Sequence, residues 1–367
     1  MRIIAIALLF IGSVLKAQSD PIIHSVFLIG DTGKDTIPSE AMYLMAFEAI
    51  GNDNCSVVLL GDNVYPKGNL LGKEDAFEKR VLFSQLELLS TFEGKVFMIP
   101  GNHDWRAGKT KGLKSVKYQA ALANDFSKHN SIIQNSGSVY FPDPGKPGPY
   151  AVDIHPSMKL IMIDSQWWLH YDLFHKVETS MDNSVREEKT RFLIQLDSLL
   201  SDAERKKQLP IIVGHHPVLT NGNHSHKREP FRLLFNYSPF HLFSWLGLNR
   251  LLRQDISQPR YRQFRRALNQ VLVKHPNVIY ASGHEHNMQY LSDHKVHHIV
   301  SGSGSKITPL DRYRFPAKFM DDQQLGFFRV SIHQSGAVTL EAYGVRERGK
   351  FWEYQLFNLS MKPILSE

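Results

Sequence analysis

Short apolar runs that stop at a glycine recur along this chain, and polar residues follow each stop. The stretch Ser56-Val57-Val58-Leu59-Leu60-Gly61-Asp62-Asn63-Val64-Tyr65 sets the pattern. Its apolar run, β-branched at the start, reads as a buried strand that Gly61 ends. The same reading predicts strands over 22–29, 95–99, 210–213 and 277–281, a hairpin from 150–154 and 160–163, and a strand at 298–300. Helices are predicted over 38–50, with Pro38 near the first turn and Gly51 past the end, around 74–90, over 111–129 and, strongly amphipathic, over 184–206. Residues 325–358 alternate like strands around turns at Ser335-Gly336 and Arg348-Gly349. Strand, loop and helix in repetition is an α/β layout. The strand-rich tail and the 150–164 hairpin suggest a second sheet, so the expected fold is a two-sheet β-sandwich flanked by helices, in αββα order.

The polar residues at the strand ends carry the chemistry. They stand as Gly30-Asp31-Thr32-Gly33, Gly61-Asp62-Asn63-Val64-Tyr65, Gly101-Asn102-His103-Asp104, Gly214-His215-His216-Pro217 and Gly283-His284-Glu285-His286. Carboxylate, amide and phenol do not belong in a core without partners, and a metal ion is one such partner. In α/β sheets, ligands collect beyond the carboxyl ends of the strands. A lone Gly-Asp is usually a turn and a lone His-x-His is often solvated. What carries weight is the ordered recurrence of these groups after successive strands. Asp164 also ends an apolar strand and reads as a turn cap.

These motifs, over residues 22–305, resemble those of the calcineurin-like metallophosphoesterases and, within them, the purple (tartrate-resistant-type) acid phosphatases. The run Asn287-Met288-Gln289-Tyr290 strengthens the likeness to the animal-type enzymes. The resemblance implies two metal ions. Asp31, Asp62, Tyr65 and His286 would hold the first, and Asp62, Asn102, His215 and His284 the second, with Asp62 bridging. It implies hydrolysis of a small phosphorylated substrate by a metal-activated hydroxide attacking in line. His103 would assist the leaving group, oriented by Asp104, and His224, nine positions beyond His215, would lie near the substrate. Ordinary members have Asp-x-His in the first motif, whereas the histidine's position here is Gly33. Tyr65 is placed to replace that ligand as a phenolate, which implies Fe(III) beside a divalent Fe, Zn or Mn ion. Phosphomonoesters are the first expectation for the substrate. Phosphodiesters or nucleotide pyrophosphates on the same core, and a non-catalytic binding protein, are the alternatives.

Composition adds the setting. Residues 1–17 have one early arginine, a short apolar core and Ala17, a secretory signal expected to be cleaved after that alanine despite Leu15 and Lys16 before it. A secreted or periplasmic protein with Cys55 as its one cysteine has no internal disulfide and no lipid-anchor cysteine at the signal's end. The formal charge of +7 falls by two with Arg2 and Lys16. That mild basicity suits anionic substrates and makes no case for nucleic acid. The expected catalytic core is 21–310, with an insertion at about 221–262, and 311–367 is its strand-rich end. The interval between His215 and His284 mixes apolar runs with Arg250, Arg253, Arg260, Arg262, Arg265 and Arg266, and reads as a lid or, through 230–250, as a membrane-surface contact.

Overall fold

Successive side chains of β1 (Ile22–Ile29) enter different apolar layers: Val26 and Leu28 face one, Phe27 and Ile29 the other. A strand alternates faces residue by residue, so a strand apolar throughout must be covered on both sides. β2 (Cys55–Leu59) and β3 (Lys95–Met98) repeat the pattern and lie parallel to β1 in register. The computed structural model describes residues 20–69, 76–109, 111–130, 138–170, 184–222, 258–293, 295–311 and 315–359. The expected signal (1–17), His224 and the 230–250 patch lie outside them.

Two sheets are formed. The first has the order β13-β12-β11-β1-β2-β3, where β11 is Gly326–His333, β12 Ala337–Gly344 and β13 Gly349–Asn358. The second runs β10-β8-β9-β7-β6-β5-β4, from β4 (Tyr150–His155), β5 (Met158–Met162), β6 (Leu209–Val213), β7 (Val278–Ser282), β8 (Met288–Ser292), β9 (Val296–Ser301) and β10 (Phe319–Asp321). Between the sheets lie Val26, Leu28, Val58, Leu60, Leu160, Met162, Ile211, Val213 and Ile279. The opposite faces take the helices α1 (Glu40–Ala49), α2 (Ala76–Leu89), α3 (Gly112–His129), α4 (Ser165–Leu169), α5 (Ser184–Lys206) and α6 (Pro259–Leu272). The sandwich is the αββα arrangement expected.

Sheet membership corrects one expectation. The tail and the 150–164 hairpin do not share a sheet: β11 pairs antiparallel with β1, while β5 pairs parallel with β6. Pairing is decided by partners far apart in sequence, as where Ser25 Oγ meets Ser331 Oγ at 3.0 Å. The last residues of the expected insertion also belong to a regular element. Gln258 precedes Pro259 at the start of α6, whose Tyr261, Phe264, Leu268 and Leu272 are buried while Arg262 and Arg266 face outward.

The fold brings the carboxyl ends of β1, β2 and β3 from one sheet, and of β6 and β7 from the other, to the same edge. Backbone hydrogen bonds seal that edge. Asp31 N–H donates to Gly61 O at 2.9 Å, Gly30 N–H to Ser301 O at 2.8 Å and Gly283 N–H to His215 O at 3.1 Å. Leu160 is fully buried in the layer between the sheets. Leu160→Ala is expected to lower the unfolding free energy by about 2–5 kcal/mol in urea titration. Phe47→Ser, on the exposed side of α1, should stay within about 0.5 kcal/mol; equal effects would contradict this layering.

Candidate metal centre

Three residues at the shared edge adopt left-handed backbone conformations that side chains disfavour: Asp31 (φ 61°), Asp62 (φ 54°) and His284 (φ 70°). Each follows a glycine that ends a strand, and each turns its side chain inward. Such strain is retained where the surroundings over-determine it, and it collects at functional sites.

The inward side chains form two adjoining groups. In the first, the Tyr65 hydroxyl donates to Asp31 Oδ1 at 2.8 Å and lies 3.2 Å from His286 Nε2, which is 3.4 Å from the same Asp31 oxygen. In the second, Asn102 Oδ1 lies 2.8 Å from His215 Nε2 and 3.0 Å from His284 Nδ1. Asp62 joins them. Its Oδ1 is 3.4 Å from His215 Nε2, and Asp31, Asp62 and His215 each offer a ligand atom within 4.8 Å of the others. The backbone fixes the carboxylates: His103 N–H donates to Asp62 Oδ1 and His284 N–H to Asp31 Oδ2, both at 2.8 Å. All seven expected ligand residues are thus brought together.

The second group has a cation's signature. His215 Nδ1–H donates to Leu60 O at 2.8 Å, which leaves the lone pair of the neutral ring on Nε2, directed at Asn102 Oδ1. Two acceptors 2.8 Å apart need a proton or a metal ion between them. Without a metal, a proton serves. Burial opposes the charged ring, yet the Asp62 carboxylate, with Asp31 beyond it, lifts His215 to about 9. Burial also opposes the Asp62 carboxylate, but the His215 and His103 rings hold it well below the usual range. Burial, with the charges of Asp31 and Asp62, pushes the Tyr65 phenol well above its ordinary value. Carboxylate, phenol, amide and imidazole oriented by a backbone carbonyl are a donor set that fits metal ions.

His103 borders the centre with its side chain 29% exposed and Nε2 4.0 Å from Asp62 Oδ2. Its orientation corrects the expectation for Asp104: Nδ1–H donates to Pro66 O at 2.8 Å, not to that carboxylate. Asp104 instead accepts from Gly101 N–H (2.7 Å), Gln119 Nε2 (2.9 Å) and, each at 3.2 Å, Asn63 N–H, Asn63 Nδ2 and Val64 N–H. It ties the β2 loop, the β3 loop and α3 together. Burial and the nearby Asp62 charge push it up to about 6.

Three neighbours were not legible as site residues. His216 is buried, its ring 4.5 Å from that of His284, with Nδ1 2.9 Å from Ser165 Oγ. Asp164 caps α4 by accepting from Trp167 N–H at 3.0 Å, and also takes the Trp105 indole N–H at 2.8 Å. Lys306 stands over the Tyr65 ring. Its one signal in the sequence was that it follows another strand ending in glycine.

Several solved structures share this fold. GAP50, the anchor in the inner membrane complex of Plasmodium, is 17% identical, with a TM-score of 0.50 over 94% of this chain and 91% of its own. A dimetal phosphatase from Danio rerio is 14% identical, with a TM-score of 0.52 over 92% and 100%. A purple acid phosphatase from yellow lupin (Lupinus luteus) seeds is 12% identical, with a TM-score of 0.53 over 92% of this chain and 54% of that longer one. At these identities the likeness is one of fold. A search of the curated proteins finds no match. The family model described as calcineurin-like phosphoesterase matches residues 24–302, most of the chain and every strand end that bears a donor, and the chain belongs to that family.

Proposed function

We propose that this phosphoesterase is a dinuclear-metal phosphatase acting on phosphomonoesters, with Tyr65 as a phenolate ligand to Fe(III). One observation carries the reading. A Cβ at Gly33 would lie 2.1 Å from the Asn63 carbonyl carbon, so no histidine fits there, and the loop lying in that space carries Tyr65. Gly33 N–H donates to Asp62 O at 3.1 Å and Tyr65 N–H to Gly33 O at 2.8 Å, which sets the phenol beside Asp31 and His286. The loop that leaves no room for a side chain at position 33 is the loop that presents the phenol.

Asp31, Asp62, Tyr65 and His286 would hold the first ion, and Asp62, Asn102, His215 and His284 the second. Hard anionic oxygens on the first suit a trivalent ion, and the nitrogen-rich second suits a divalent Fe, Zn or Mn ion. Bound metals would polarise the phosphoryl oxygens and acidify a water near neutral pH. The protein's own groups supply the rest. Leu60 O holds His215 in the tautomer that leaves Nε2 free to serve as a ligand. Pro66 O fixes His103 so that its Nε2, when protonated, can give a proton to the leaving alcohol. The buried donors at every strand end favour an enzyme over an anchor on the same fold.

The direct test is hydrolysis of p-nitrophenyl phosphate beside its bis-ester. Wild type should prefer the monoester and Asp62→Asn should lose at least about 100-fold of that activity. A preference for the bis-ester would replace this reading with a phosphodiesterase. Metal loading also has a proton signature. At pH 7 the metal-free His215, held to about 9, carries a proton that its role as a ligand excludes, and so does the Tyr65 phenol. Calorimetry at pH 7 in buffers of different ionisation heat should show about two protons released per chain, and tighter binding as pH rises toward 9. Binding without proton release would contradict the ligand assignment.

A further inference from the structure

A turn of glycine and serine follows β9 and leads into Lys306. This segment lies directly on the loops that bear the donors. Gly304 N–H donates to Gly30 O at 3.1 Å, Ser305 Oγ–H to Asp31 O, and Thr308 N–H to His286 O at 2.8 Å. Lys306 is therefore bracketed by two residues bonded to donor-bearing loops, and its backbone has little freedom to move.

Its side chain reaches the centre. Nζ lies 2.9 Å from the centroid of the Tyr65 ring; burial lowers the lysine's pKa, against the opposing pull of the Asp62 and Asp31 carboxylates. The His103 ring packs on the same phenol, with centroids 4.3 Å apart. Lys306 and His103 are only partly buried, whereas Tyr65, Asp31 and Asp62 are buried, so the two basic side chains mark the side from which a ligand enters. Metal ions on Asp31 and Asp62 would neutralise those carboxylates. An ammonium held at this place then finds its natural partner in an incoming phosphoryl group. Lysine offers three donors on a compact charge, suited to a phosphoryl oxygen that the metals leave unengaged.

We propose that Lys306 is a substrate-binding residue that donates to a non-bridging phosphoryl oxygen and favours the dianionic monoester over the monoanionic diester. The proposal rests on the phosphatase reading and assigns its substrate preference to a residue outside the metal ligands.

The test uses metal-loaded full-length protein as wild type, Lys306→Met and Lys306→Arg. It measures inorganic phosphate affinity by calorimetry, KM and kcat for p-nitrophenyl phosphate and its bis-ester, and metal content. Loss of one charge-assisted contact should raise the phosphate Kd and the monoester KM about 10-fold in Lys306→Met. The bis-ester KM should change less, metal content should hold, and Lys306→Arg should recover part of the loss. Unchanged phosphate affinity and ester preference in a fully loaded Lys306→Met protein would overturn the proposal. So would a fall in metal content with unchanged phosphate affinity per loaded centre, since that would make Lys306 a prop for the loop. Loaded wild type that binds no phosphate and cleaves neither ester would remove the phosphatase reading and this proposal with it, a result visible before any variant is made.

Discussion

A carboxylate buried to 1% exposure, on a left-handed backbone, between two groups of polar side chains, is the feature on which this structure depends. Asp62 would be costly there alone, because an ion out of water must be paired. Its partners are a backbone N–H from the β3 loop and an imidazole from the β6 loop, so one carboxylate links both sheets. The parallel strands must end together for this to happen. The backbone hydrogen bonds between the Asp31, Asp62, His215 and Gly283 loops are what hold them so.

Around Asp62 the protein separates rigidity from chemistry. Asp104 is spent on structure, as acceptor for donors from the β2 loop, the β3 loop and α3. His103, its neighbour in sequence, is oriented by a main-chain carbonyl and keeps one nitrogen toward the centre. Leu60 O does the same for His215. Carbonyl oxygens set the tautomers, and the side-chain donors are left to face one another. Gly33 shows how closely the backbone itself is involved, since any side chain there would displace the loop that presents Tyr65.

Much of this was legible in the sequence because it is local. An apolar run, a glycine and a polar group recur within a few residues, and the seven expected metal ligands converge in the fold. What was not legible depends on long-range pairing. The tail strands join β1 through contacts some 300 residues away, such as Ser25 with Ser331. The role of Asp104 was misread because adjacency to His103 says nothing about which backbone N–H groups fold over it. Lys306 carried only a faint signal, a strand ending in glycine before it, and a lysine after such a turn is ordinary until the turn is seen to lie on the Asp31 and His286 loops.

In the proposed phosphatase, Tyr65 would hold a trivalent iron beside Gly33, where the packed loop leaves no room for a histidine. The most direct measurement is the visible absorption spectrum of purified protein with its iron content, for wild type and Tyr65→Phe. A pink to purple charge-transfer band in wild type that vanishes in Tyr65→Phe, with the fold retained, is the predicted result. A colourless wild type with full iron content, or a band unchanged by the substitution, would contradict it.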